Sequence, residues 1–181
     1  MSDYKNVMLT SPDNVKAENQ VNYNTSDATI AASIRTAQET YLREVIGDDL
    51  LDKLKLLVYG DLTGEGEALS DDDNKDYAEL LDDYVEPFLV AKTVVEIVYP
   101  ISFEIRNIGV IEKYDTNITS TNLQNLASIR NYYETLACDR ANRLIEYLEK
   151  NSFLFPEVEV KCGCGKRDSL NKRYVNTGIK L

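Results

Sequence analysis

The cysteines at 162 and 164, set in the run Cys162-Gly-Cys-Gly, are the residues whose type and spacing most suggest a metal-ligand set. Structural zinc takes four thiolate or imidazole ligands, with paired ligands two to four residues apart. Here one residue separates the pair, Cys138 is the only other cysteine, and the chain has no histidine. Two thiols do not complete a site within one chain. A site shared between subunits stays open, and the preferred reading is a flexible, Gly-flanked spacer. An odd cysteine count also argues against a disulfide framework, so the thiols are read as reduced.

A second candidate lies in the acidic stretch 60–73, where Asp61, Thr63, Glu65, Gly66 and Asp72 fall at the first, third, fifth, sixth and twelfth places of a calcium-loop template. Thr is a poor third ligand, and Asp72 is too short for the bidentate Glu that normally closes the loop. Asp61, Glu65 and Asp72 are therefore weak metal candidates, and a solvated acidic turn is the preferred reading. The lack of histidine removes the commonest general base and the usual triad base. Carboxylate pairs such as Asp48/Asp49 and Asp82/Asp83, and the run Asp71 to Asp73, sit at expected helix starts or exposed faces, where capping accounts for them. The sequence has no nucleotide-binding Gly loop, nucleophile elbow or kinase signature. The expectation is a protein without catalytic residues or a cofactor.

With chemistry absent, charge and pattern carry the reading. The net charge is −11, but Lys161, Lys166, Arg167, Lys172, Arg173 and Lys180 fall in the last stretch against one acid, Asp168. An acidic body is followed by a basic tail. An acidic body disfavours tight nucleic-acid binding, because phosphate neutralisation supplies most of that affinity. No apolar run approaches the roughly 18 residues needed to cross a bilayer. The start, MSDYKNVMLTSPDN, has no basic segment followed by an apolar one, which points to the cytosol or a particle assembled there.

Residues 1–25 are polar and aperiodic and read as an N-terminal arm. After Ser26, Ile30, Ile34, Ala37, Tyr41 and Val45 recur at helical steps up to Gly47. Leu50, Leu51, Leu54, Leu57 and Val58 form the stripe of a second helix, and Tyr77, Leu80, Leu81 and Tyr84 that of a third, which Pro87 should break or kink. Phe88, Ala91, Val94, Val95 and Val98 form the most apolar helix, closed by Pro100. A hairpin or extended crossing loop follows near 101–114. A long helix then carries Leu123, Leu126, Ile129, Tyr133, Leu136, Arg140, Leu144 and Leu148, with Arg140 expected to pair with a carboxylate at the core edge. The architecture expected is mainly α: a bundle of four to five helices over 26–156, between the N-terminal arm and an extended basic C-terminal arm, 157–181. In that last arm Val158, Val160, Lys166, Arg167, Lys172, Arg173, Tyr174, Val175, Ile179 and Leu181 are anchors and charges suited to docking on a partner.

The order SIRTAQETYLREVIG (33–47), DDLLDKLKLL (48–57), a loop, VVEIVYPISFEIRNIGVIEK (94–113) and a long closing helix resembles the head–tail connector, or adaptor, proteins of tailed bacteriophages, of the Bacteroidetes and crAss-like phage type. The marks are Ile34, Ala37, Gln38, Leu42, Ile46, Gly47 and Leu50, with Asn107 to Ile111, and the likeness covers about residues 28–150. The resemblance implies a homo-oligomeric ring, dodecameric in that family. It would sit beneath the portal protein and support an adjacent tail or neck ring protein. DNA would pass through it without specific binding. The place implied is the neck of a virion assembled in the host cytoplasm, away from any membrane. The acidic stretch 60–73 and the Cys-Gly tail depart from the family pattern. The other reading is a small cytosolic helical module, regulatory or ligand-binding, with Asp61 to Asp72 as the place where calcium would link to it.

Overall fold

The structure, a computed structural model, describes residues 3–18, 21–106, 109–112 and 123–158. It is mainly helical. Among these residues the chain builds α1 (Pro12–Glu18), α2 (Asp27–Thr36), α3 (Arg43–Ile46), α4 (Asp48–Thr63), α5 (Lys75–Leu80), α6 (Glu86–Ser102), strands β1 (Phe103–Arg106) and β2 (Gly109–Glu112), and α7 (Leu123–Lys150). A π-helical turn at Ala37–Leu42 joins α2 to α3, and another at Leu81–Val85 joins α5 to α6, so these segments make five helical rods.

The rod of α2 and α3, called the first long rod, starts where the apolar stripe begins. Ser26 holds the N-cap position, but its backbone oxygen does the work there, accepting from the amides of Thr29 and Ile30, while its hydroxyl makes no capping bond. Gly47 ends the rod at φ 86°, left-handed backbone that favours glycine, and α4 starts at the next residue. Asp48 and Asp49 stand in the first turn of α4, where the helix dipole favours negative charge.

Two prolines are accommodated instead of ending helices. A regular α-turn would set the Pro87 ring against the carbonyl four residues earlier, at Asp83. The π-helical turn widens the backbone over that position, and the rod continues through Pro87. Pro100 likewise lies inside α6, which continues to Ser102. The chain then forms an antiparallel hairpin in which Phe103 pairs with Glu112 and Arg106 with Gly109.

Helix α6 is the staff of the molecule. Its first half, with Phe88, Leu89 and Ala91, joins a large core with Leu50, Leu54 and Leu57 of α4 and Ala141, Leu144 and Leu148 of α7. Val90 on another side of that half, with Val94, Ile97 and Val98 of the second half, packs with Val15, Ile30, Ile34 and Leu126 in a second core. Each of these Val, Leu, Ile and Phe side chains contributes about 1.5 to 3 kcal/mol by leaving water.

The N-terminal stretch follows the bundle instead of leaving it. It carries a 3-10 turn at Asp3–Asn6 and the short helix α1, and it buries Leu9 in the larger core and Val15 in the smaller. Its hold is largely polar. The buried Gln38 amide accepts from the Leu9 N–H at 2.9 Å and donates to the Val7 carbonyl at 3.0 Å, acting as a strand edge would. Glu86 accepts from the Thr10 hydroxyl at 2.7 Å and from the Asn14 amide, and Lys16 pairs with Asp27.

Candidate assembly surface

Helices α6 and α7 run antiparallel, as Tyr84 against Tyr147, Pro87 against Arg140 and Lys92 against Glu134 demonstrate. Two polar arrangements form along this seam. One is internal. The Lys92 ammonium, nearly inaccessible to solvent, takes both Glu134 oxygens at 2.7 Å and lies 3.9 Å from the centre of the Tyr41 ring. Tyr41 in turn donates to Glu96 at 3.0 Å. Burial, then this bond to a carboxylate, pushes the Tyr41 hydroxyl up to about 12. Burial and the Glu134 charge also raise the neighbouring Cys138 thiol, which keeps it in its less reactive protonated form. The node clamps the first long rod, α6 and α7 together.

The other arrangement is open. Asp83, Tyr84, Pro87, Arg140, Arg143, Glu146, Tyr147 and Lys150 line a groove of about 630 Å³ along the flank of α7. Positions 140, 143, 147 and 150 follow helical steps, so their side chains share one face. Tyr84 and Tyr147 stack at 4.1 Å between ring centres and form its apolar floor. The Arg140 guanidinium donates to the Pro87 carbonyl at 2.5 Å, not to the carboxylate expected from sequence. That carbonyl is turned toward α7 beside the π-helical turn, which no residue pattern announces. Arg143 and Lys150 have no ion-pair partner among the described residues. Sequence reading singled out Arg140 but missed Arg143, Tyr147 and Lys150. The signal available was their spacing on the polar side of a long amphipathic helix.

The weak metal candidates are dispersed. Asp61 accepts from the Ser70 amide at 3.2 Å and hydroxyl at 2.6 Å, Asp72 pairs with Lys75 at 2.8 Å, and Glu65 is exposed with its amide on the Thr63 hydroxyl. Among the described residues no three His, Cys, Asp or Glu side chains are placed to share a metal ion. The loop is held instead by protein contacts. Asp71 accepts from the Ala68 amide, Asn74 donates to the Ala68 carbonyl, and Lys53 pairs with Glu67 at 2.6 Å, holding the Glu67 carboxyl below its ordinary range.

Val158, the first of the expected tail anchors, is buried in the chain's own core, and its amide bonds to the Phe155 carbonyl. It fixes the exit of the C-terminal segment beside Tyr77, whose hydroxyl donates to Glu157 at 2.8 Å. Val160, Cys162, Cys164, Lys166, Arg167, Lys172, Arg173, Tyr174, Val175, Ile179 and Leu181 lie outside the described residues, as do Asn107 and Ile108. No helix among the described residues is long and apolar enough to cross a membrane.

Comparison with curated proteins gives no match, and no solved structure matches. One family model does, running from Leu42 at the end of the first π-helical turn, through the groove and the hairpin, to residue 168. By that match over residues 42–168 the chain belongs to DUF6712, a family of unknown function.

Proposed function

We propose that this chain is a structural protein of a tailed-phage virion, a connector whose copies form a ring between the portal and the tail or neck and line the DNA channel. The observation that carries the reading is the long rod α7, which separates the end that follows the hairpin from the end that leads to the C-terminus. The hairpin of β1 and β2 follows the C-terminus of α6, while Phe155 and Val158, at the end of the described residues, come after the C-terminus of α7. The 28 residues of α7 between them make a rod about 40 Å long at 1.5 Å per residue. A platform between two partners needs a contact surface at each end, and in this reading the hairpin serves one and the chain beyond Val158 the other.

Further support comes from the residues that carry the resemblance to connector proteins. Ile34, Ala37, Leu42, Ile46 and Leu50 are buried, Gly47 makes the left-handed turn between α3 and α4, and Gln38 ties down the N-terminal stretch. They are the residues on which the first turn-around depends, so a likeness in them is a likeness in how the bundle is built. The net charge of −11 suits a channel wall along which DNA must slide, since like charge prevents the counterion release that makes DNA stick.

Size-exclusion chromatography with light scattering tests the reading, using the full chain alone and mixed with a portal protein from the same genome. A ring-sized species, alone or on the portal, is expected. A chain that stays monomeric and ignores the portal at high concentration ends the proposal.

A further inference from the structure

We infer that the contact between neighbouring copies in that ring is made by the acidic loop 64–73 of one copy seated in the α7 groove of the next. The inference rests on the ring reading and names the surfaces that would close it. Copies of a chain with net charge −11 repel one another, and a close contact is favoured where one copy offers opposite charge to the next. The groove is such a place, with Arg143 and Lys150 exposed and without ion-pair partners among the described residues, and with Arg140 beside them. Asp83 and Glu146 line it too, so its surplus of positive charge is small and local. That favours a defined acidic segment over a long polyanion.

The loop offers the complement. Glu65, Glu67, Asp71, Asp72 and Asp73 are all exposed. Glu65 and Asp73 have no ion-pair partner among the described residues, and Lys53 and Lys75 hold Glu67 and Asp72 only in surface pairs that are easily exchanged. The loop is also preshaped. Leu69 packs against the core and donates its amide to the Leu57 carbonyl, and Gly60 lies directly under Glu67, so docking would freeze little additional motion. Loop and groove occupy different places on the molecule. The loop caps the ends of α4 and α5, and the groove runs along α7. A contact between them joins unlike surfaces, and when each copy's loop enters the groove of the next in one direction it is head-to-tail, the kind that can close into a ring.

Charge reversal on the full chain tests the pairing. The groove variant carries Arg143→Glu and Lys150→Glu, and the loop variant carries Glu65→Lys and Asp73→Lys. Sedimentation velocity should find each variant alone associating more weakly than the unaltered chain by about tenfold or more, since each brings like charges together. Mixed in equal amounts, they should regain association, because every groove then meets a loop of opposite sign in alternating order. Circular dichroism establishes that both variants are folded. Variants that assemble like the unaltered chain, or a mixture that fails to recover, overturn the pairing while leaving a ring reading intact. An unaltered chain that is monomeric at every concentration overturns the pairing as well, and a negative portal experiment beside it removes the ring.

Discussion

Both carboxylate oxygens of Glu134 lie 2.7 Å from the ammonium of Lys92, in a seam where neither side chain is more than 13% exposed. A buried pair of this kind is weak evidence of net stabilisation, because desolvation offsets much of the attraction, but breaking it leaves a stranded charge. Lys92→Met should therefore destabilise the fold by about 3 to 5 kcal/mol, and the double change Lys92→Met with Glu134→Leu should recover most of that loss. Urea unfolding of the two single variants and the double variant measures the coupling. Additive losses would mean that the pair does not hold the α6–α7 seam.

The N-terminal stretch should detach without global unfolding when Gln38 is changed. Gln38→Leu puts an apolar side chain of similar size in place of the amide and leaves the Leu9 amide and the Val7 carbonyl without their partner, at about 1 to 3 kcal/mol. The loss should appear chiefly as faster hydrogen exchange at Leu9 and its neighbours, with the amides of α6 still protected. Equal loss of protection in both places would make the stretch part of the cooperative core.

This stretch also marks where sequence reading stopped. The rods over 27–46, 48–63 and 123–150 were legible because each carries an apolar stripe long enough to fix a period. Seven residues of α1 cannot carry one, and its anchors, Gln38 and Glu86, lie far along the chain. Pro87 was legible as a disturbance but not as a continuation, since only the three-dimensional path allows a π-helical turn to absorb it. Lys55 and Lys92 belong to apolar faces yet are buried with charge, a choice that makes sense only once Glu39 and Glu134 are seen opposite them. In the candidate site, the stripe Arg140, Arg143, Tyr147 and Lys150 could have been read from spacing, but the Tyr84 floor and the Pro87 carbonyl come from another rod.

Gly60→Ala should reverse the usual helix rule. In an exposed helix interior, alanine gains about 1 kcal/mol over glycine. At Gly60, inside α4, an added Cβ would stand 2.0 Å from the Glu67 carbonyl oxygen and 2.8 Å from its carbon, so the loop backbone must move. The variant should lose about 1 to 3 kcal/mol, the scale of overpacking. It should also disturb the Leu69 to Leu57 bond that seats the acidic loop. Thermal unfolding gives the sign directly, and a stabilised variant would mean that the loop is not seated on α4.

Stability should fall on both sides of neutral pH for identifiable reasons. Tyr41 and Tyr147 are pushed up to about 12, first by burial, then by Glu96 for Tyr41 and by Glu79 for Tyr147, and Tyr77 is raised further by burial and Glu157. A raised value means that the fold favours the neutral phenol. The contribution is therefore complete below the ordinary value of 10.0 and is lost as pH climbs through the folded-state values. Glu39 behaves oppositely. Burial alone would raise its carboxyl, but hydrogen bonds from Lys55, Arg43 and Gln38 outweigh that and lower it, so its contribution is present above 4.5 and is lost as pH falls through the lowered value. With 12 tyrosines and no tryptophan, phenolate absorbance reads the alkaline limb cleanly. A late-titrating fraction should shrink in Tyr41→Phe, and that variant's stability should decline less steeply above pH 10 than the unaltered chain's. Identical alkaline limbs in the two proteins would mean that the Tyr41 hydroxyl is not held in the seam by Glu96.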